Sequence, residues 1–276
     1  MKSERLVIGR IPFLVALGFY HLDLENEQFI YRDGTPAELN DALRKGEIDL
    51  APASSFEYLR NANLYALLPD FCTSGVTAIR SALLFSKHPW QQLEGKTISL
   101  PSDSASAAAL LKILLQRDSL SVYFQSETEA PPCSAQLLIG NRALIVAQRR
   151  EWPYCYDLCT LWNQWQNLPF AFGAWIVRKK SIHHPELLPW RKHLAHSVEC
   201  FRANPQAALT RWQKHHQLPE EDLQLDEYWN SLEYRMGKAH HTALERFAEL
   251  AYKARLIDRI PKIEYLEPLD YSSPHS

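Results

Sequence analysis

Two short hydroxyl-rich turns carry the groups best able to hold an anion. Pro52-Ala-Ser-Ser55 and Pro101-Ser-Asp-Ser104 each follow an apolar run and precede residues at helical spacing. A helix N-terminus leaves unpaired N–H groups and a partial positive charge of about +0.5, so a Ser-rich turn that opens one is a seat for a carboxylate or phosphate. Ser and Asp are also ordinary N-caps, and for Ser102-Asp103-Ser104 that structural role competes with the binding role. Binding is favoured by the position of both turns after strands, where ligands of α/β proteins gather. Asp103 is the one carboxylate in these turns and so their only candidate general base.

The other chemistry-bearing residues point away from metal and thiol sites. Cys72, Cys133, Cys155, Cys159 and Cys200 are odd in number and form no CxxC, so reduced thiols are expected. Cys155 and Cys159 are four apart, but Trp152-Pro153 beside them argues against a shared helical face. The pairs His183-His184, His215-His216 and His240-His241 place neighbouring rings on opposite sides of any regular element, and no carboxylate joins them at ligand spacing. No metal is expected.

The 276 residues include 46% hydrophobic side chains and carry a net charge of −2. That is enough apolar material for one large or two small domains. No broad basic field exists for nucleic acid or an anionic membrane surface. The N-terminal MKSERLVIGRIPF lacks a signal-peptide core, and no run approaches the ~20 apolar residues of a membrane span, so a cytoplasmic protein is expected.

The elements that must position the turns follow from periodicity. Strands are expected at Leu6–Gly9, Gln28–Tyr31, Glu47–Ala51, Ser81–Phe85, Lys96–Leu100, Gln136–Gly140 and Leu168–Val177. Thr35, Pro36 and Glu38 spell a capping box with proline at the first helical position, and Gly46 ends that helix. Leu110, Leu111, Leu114 and Leu115 mark a helix after Ser104, and Asp157–Gln166 is amphipathic. Beyond Arg178 the chain reads as helices over 185–203, 205–215, 220–234 and 241–254, with no strand between them and an irregular tail from Pro261. The aromatics of the 168–177 run would line a pocket or fill core, with core packing the default. Alternation of strands and helices up to residue 177 predicts an α/β protein of two lobes with a ligand cleft between them and a helical C-terminal region. The expected division is 1–86 with 178–276 as one lobe and 87–177 as the other. The C-terminal helices allow a homodimer without demanding one.

Several segments together resemble a known family. GTPAELNDALRKGEIDLAPASSFEYLRN (34–61), LLPDFC (67–72), RSALLFS (80–86), SLPSDSASAAALLKILL (99–115), LLIGNRAL (137–144), LPFAFGAWIVRK (168–179) and YWNSLEYRMG with ALERFAELA (228–251) are similar, in order, to the chorismate dehydratases of the futalosine route to menaquinone. The resemblance implies the type II periplasmic-binding-protein fold. It also implies a cofactor-independent lyase that removes water from chorismate to give 3-[(1-carboxyvinyl)oxy]benzoate. Ser81 then stands where the family has a substrate-binding, catalytic serine, and Ser54, Ser55, Ser102, Asp103 and Ser104 match hydroxyl-rich turns at the cleft. The family's usual Asn after the first strand corresponds here to Val15, in the loop IPFLVALG. Its usual Thr corresponds to Pro101 and its usual Asp to Asn141. If the loop faces the ligand, Arg10 is the residue best suited to replace the missing Asn, because a guanidinium grips a carboxylate with two bonds. Two other readings stay open. One is a non-catalytic binder of chorismate or another small anion; the other is the related 1,4-dihydroxy-6-naphthoate synthase, for which a cleft histidine is expected.

Overall fold

The computed structural model describes residues 5–23, 29–129, 133–214, 223 and 225–270. His215-His216 and the start of the helix expected at 220–234 lie outside them. Strands numbered in chain order form two sheets. The first has the order β11-β4-β10-β3-β1-β2, built from β1 (Val7–Arg10), β2 (Ile30–Asp33), β3 (Leu50–Ser54), β4 (Tyr65–Gly75), β10 (Phe170–Arg178) and β11 (Leu232–Arg235). The second has the order β7-β6-β8-β5-β9, from β5 (Ala82–Ser86), β6 (Thr97–Leu100), β7 (Tyr123–Ser126), β8 (Ala135–Ile139) and β9 (Tyr154–Asp157). The helices are α1 (Leu17–Tyr20), α2 (Pro36–Lys45), α3 (Ser55–Arg60), α4 (Ala105–Arg117), α5 (Gly140–Arg149), α6 (Leu158–Gln166), α7 (Leu187–Ala203), α8 (Pro205–Gln213), α9 (Leu225–Ser231) and α10 (Lys238–Lys253). None of the described helices is long and apolar enough to cross a membrane.

Local chemistry explains the best-read parts. Thr35 Oγ1 accepts the Glu38 N–H at 3.3 Å while Glu38 Oε2 accepts the Thr35 N–H at 2.8 Å, completing the capping box. Gly46 closes α2 at φ 78°, a left-handed conformation that favours glycine. The fully buried β3 and β5 show apolar runs without alternation, as strands covered on both faces do.

The chain leaves the first sheet after β4, crosses through residues 76–81 into β5, and returns after α6 into β10. Both crossing strands therefore sit opposite to the expected division at residues 86 and 177. Ala82–Ser86 pairs with β8 and β9, and Phe170–Arg178 lies between β3 and β4. Pairing partners are non-local, so an apolar run reveals that a strand is buried and not which sheet holds it.

Four strands escape the periodicity reading. In β4, Pro69 and Asp70 look like a turn, but the register against β10 jumps from Cys72 to Leu67 over one two-residue step of the partner. The extra residues bulge, and proline is tolerated where no ladder bond is lost. Asp70 in that bulge is buried and pairs with Arg191 at 2.5 Å, while its other carboxylate oxygen accepts the Leu269 N–H at 2.9 Å. The edge strands β7 and β9 are largely exposed and show no apolar alternation. Leu232–Arg235, expected within a helix, pairs with Gly75, Ser74 and Phe71 of β4 as β11. The expected strand at 47–51 starts later, at Leu50, and the Asp49 carboxylate just before it accepts the Val7 N–H at 2.8 Å and the Ser181 hydroxyl at 2.5 Å. The tail is irregular as expected, yet it is docked: the Leu67 N–H donates to Glu264 O and the Leu266 N–H to Leu67 O.

The start of α10 is tied to β4 by a histidine. The Gly237 N–H donates to His240 Nδ1 at 3.2 Å, which puts the ring hydrogen on Nε2, 2.7 Å from Ser74 Oγ. Burial, with a smaller repulsion from His241, holds the His240 pKa below its usual value. The fold thus favours the neutral ring. Its stabilising contribution is fully present above the unfolded pKa of about 6.5 and is lost as pH falls through that value toward the lower folded one. The urea midpoint is expected to fall between about pH 7 and pH 5, and His240→Gln to remove part of that fall. An identical pH dependence in the variant would refute the role.

Candidate functional site

A cavity of about 640 Å³, counted with its open mouth, lies between the two sheets. The first sheet contributes the loop after β1 with Ile11, Phe13 and Val15, the end of β3 at Pro52–Ser54, and Thr73 and Phe172-Gly173. The crossover contributes Ile79 and Ser81. The second sheet contributes Asp103–Ala107 at the mouth of α4 and Ile139-Gly140 at the mouth of α5. Gly173 is dictated by proximity, since a Cβ there would stand 2.6 Å from Thr73 Oγ1.

Two helices thus open onto one space. Neither N-cap residue, Ser104 of α4 nor Ile139 of α5, bonds its side chain back to its helix, which leaves first-turn N–H groups and dipoles to face an anion. Gly140, at φ 58°, instead directs its N–H to Ser81 O at 2.8 Å. None of the described lining residues is Lys, Arg or His. Hydroxyls of Ser54, Thr73, Ser81, Ser104 and Ser106 and the carboxylate of Asp103 supply the polar side chains, against walls of Ile, Phe and Val. Such a site suits a carboxylate-bearing, partly apolar molecule.

Asp103 is the one carboxylate among the described lining residues. Burial pushes its pKa up, Glu127 adds to the rise, and its own backbone N–H and Arg142 oppose it. It is the wall group best suited to take or hold a proton.

Of the residues expected at a ligand, Val15, Ser54, Ser81, Asp103 and Ser104 line the cavity. The structure does not bring the others to its wall. Arg10 gives its guanidinium to Asp33, at 2.5 Å and 3.1 Å, and covers the Tyr31 ring. Its position at the end of β1 aims it at Asp33 on the neighbouring strand β2. Ser55 is fully buried and bonds Ser106 Oγ at 3.0 Å. Ser102 is exposed and turns to Glu127 at 3.4 Å. Asn141 Oδ1 accepts the Leu14 N–H at 3.1 Å, clasping the loop after β1 to α5.

Periodicity missed two groups that matter, Ser106 and Tyr228, and defaulted to core for a third, Phe172. Ser106 Oγ joins Ser54 Oγ at 2.7 Å, Ser55 Oγ, and the Phe56 N–H at 3.1 Å, a second clasp between the sheets. It was hidden in the Ala run of α4, although SDSAS repeats serine at every second position. Phe172, read with a core run, faces the cavity while Phe170 and Trp175 are buried. Tyr228 donates to Ser81 Oγ at 3.1 Å, a contact across the chain that no local signal announces.

The family model described as menaquinone biosynthesis matches residues 6–253. A curated chorismate dehydratase of Thermus thermophilus is 30% identical over 264 residues, covering 86% of this chain and 94% of the relative. Among solved structures, a structural-genomics protein of Archaeoglobus fulgidus superposes with a TM-score of 0.68 at 15% identity, over 93% of this chain and 100% of the other. The periplasmic aliphatic sulphonate binding protein of Escherichia coli gives 0.65 at 14% identity, over 98% and 96%. The fold is that of the periplasmic binding proteins.

The Asn141 clasp is directly testable. Asn141→Ala is expected to speed amide hydrogen exchange at Leu14 while altering global stability by no more than about 1 kcal/mol, the net worth of one hydrogen bond. Unchanged exchange at Leu14 would show that the loop is held by packing alone.

Proposed function

Because this chain belongs to the menaquinone-biosynthesis family, we propose that it is a chorismate dehydratase acting on the futalosine route, a hydro-lyase that converts chorismate to 3-[(1-carboxyvinyl)oxy]benzoate and water. The observation that carries this reading is the cavity onto which two helix N-termini without an N-cap side-chain bond open beside Ser81, with apolar walls and no cation among the described lining residues. Chorismate brings two carboxylates and an apolar ring. One carboxylate is matched by each helix mouth, and the ring by Phe13, Val15 and Phe172.

The reaction removes a ring hydrogen as a proton, expels the ring hydroxyl as water and leaves an aromatic ring. Since aromatisation supplies driving force, the protein has mainly to hold the dianion, stabilise charge building on the ring-bound carboxylate and help the hydroxyl leave. Ser81 and the hydroxyls around α4 suit the first two tasks. The proton acceptor is either Asp103 or a carboxylate of the substrate itself. Asp103 ionised also repels a dianion, which favours the substrate carboxylate.

A second reading has a specific observation behind it. Val15 offers the ligand an apolar surface where a family asparagine would offer a donor and an acceptor. A non-catalytic anion binder fits that loss. A 1,4-dihydroxy-6-naphthoate synthase fits less well, since it calls for a histidine that the described lining residues lack.

Incubation with chorismate separates the readings. The protein is expected to form the dehydrated benzoate and to keep doing so after prolonged chelation with EDTA. Loss of turnover restored by one divalent ion would overturn cofactor independence. Ser81→Ala should lower turnover by about ten-fold or more, the loss of a charge-assisted hydrogen bond of roughly 1.5–3 kcal/mol. Binding of chorismate without turnover would favour the binder.

Val15→Asn and Arg10→Ala divide the loop. Arg10→Ala is expected to leave turnover within about twofold, because its guanidinium is committed to Asp33 and the exposed pair is worth about 1 kcal/mol or less. A turnover loss of ten-fold or more in Arg10→Ala would return Arg10 to the ligand. Activity appearing only in Val15→Asn would make the parent a binder.

A further inference from the structure

We propose that Tyr228 is a positioning residue for Ser81, donating a buried hydrogen bond that leaves the serine hydroxyl hydrogen free to point at a carboxylate of the ligand. The identity of the ligand rests on the dehydratase reading; the pair itself rests on geometry. Tyr228 Oη lies 3.1 Å from Ser81 Oγ, and the two residues are only 2% and 6% exposed. Ser81 lines the cavity and Tyr228 stands behind it, outside the wall.

A serine hydroxyl has one hydrogen and two lone pairs. With the phenol occupying a lone pair, the Ser81 hydrogen must find an acceptor. Within the chain that acceptor is the Ile79 carbonyl at 3.4 Å, long for an O–H···O bond, which usually spans 2.5–3.0 Å. A carboxylate in the cavity is a stronger acceptor, and two hydroxyls in series polarise one another. Burial raises the Tyr228 pKa, so the phenol stays protonated and remains a donor at working pH.

Helix α9 makes the arrangement rigid. Three consecutive residues hold the crossover and the cavity loop: Glu227 pairs with Arg80 at 2.7 Å, Tyr228 reaches Ser81, and Trp229 Nε1 donates to Leu14 O at 3.4 Å. Ser231 Oγ donates to the Tyr228 carbonyl at 2.6 Å. Tyr228 is therefore held against Ser81 from outside the cavity lining.

A merely structural tyrosine would cost stability and nothing specific to Ser81. The test is a double-mutant cycle with Tyr228→Phe, Ser81→Ala and the pair combined, reading kcat/KM on chorismate, chorismate binding by calorimetry and the unfolding midpoint. Tyr228→Phe keeps the ring and is expected to fold. In the parent background it should lower kcat/KM by about tenfold; in the Ser81→Ala background it should lower it by less than about twofold. Equal losses in both backgrounds, or full activity in Tyr228→Phe, would overturn the role while leaving the dehydratase reading intact. A parent that neither binds nor turns over chorismate would overturn that reading and this role with it.

Discussion

The carboxylate of Asp157 is the interaction on which the rest of the site depends. It caps α6 by accepting the Cys159 and Thr160 N–H groups at 2.9 Å and 3.2 Å, and its second oxygen accepts the Ile79 and Arg80 N–H groups at 3.0 Å and 2.7 Å. One group thus fixes the crossover from the first sheet to the second against the helix that leads back. Arg80 sits at φ 59°, an unfavourable conformation for a residue with a Cβ that persists only when its surroundings demand it. Ser81 is the next residue. Burial raises the Asp157 pKa, and the four amides counter it by favouring the charged form. Two further bonds reinforce the joint: Thr160 Oγ1 donates to Thr77 O at 2.8 Å and Cys159 Sγ to Gly75 O at 3.2 Å.

With the crossover fixed, the two sheets meet across the cavity through hydroxyls and amides. Ser106 joins the mouth of α4 to that of α3, and Asn141 joins the mouth of α5 to the loop after β1. The same helix ends that could hold an anion therefore also hold the sheets together. A position such as Ser106 cannot be assigned to binding or to architecture alone, because its hydroxyl is shared by three groups of the opposite wall. Asn141 keeps the acceptor oxygen that an aspartate would offer the Leu14 N–H but brings no charge to the mouth of α5.

This division of labour sets what the sequence reveals. Capping is local chemistry, so α2 from Thr35 to Gly46 is legible residue by residue. The two Ser-rich turns are legible for the same reason, and three of their polar residues, Ser54, Asp103 and Ser104, line the cavity with Val15 and Ser81. Sheet membership is not local. Ala82–Ser86 and Phe170–Arg178 are recognisable as buried strands, but their partners are chosen by hydrogen bonds to segments far away in the chain, as in the pairing of Val177 with Leu50. Asp70 and Pro69 disguise β4 because they occupy a bulge, where breaker residues are permitted. Tyr228 is hidden for the most general reason: the function of its hydroxyl depends on a contact 147 positions away in the chain.

Arg10 and Val15 show why a search for charged side chains looks in the wrong place. A guanidinium facing this apolar cavity would have to shed its water, and the cost of desolvating an ion rises steeply as the surroundings become less polar. Arg10 avoids that cost on the outer side of β1, beside Asp33 and over Tyr31. Backbone N–H groups at the mouths of α4 and α5 are different. They were ordered and largely dehydrated when the helices folded, so a carboxylate that reaches them meets oriented dipoles that need little reorganisation. In the proposed reading the preference for an anion is written into backbone direction. A net charge of −2 and a cavity wall without a basic residue among those described are compatible with it, because the positive potential comes from peptide dipoles that no count of lysines and arginines can register.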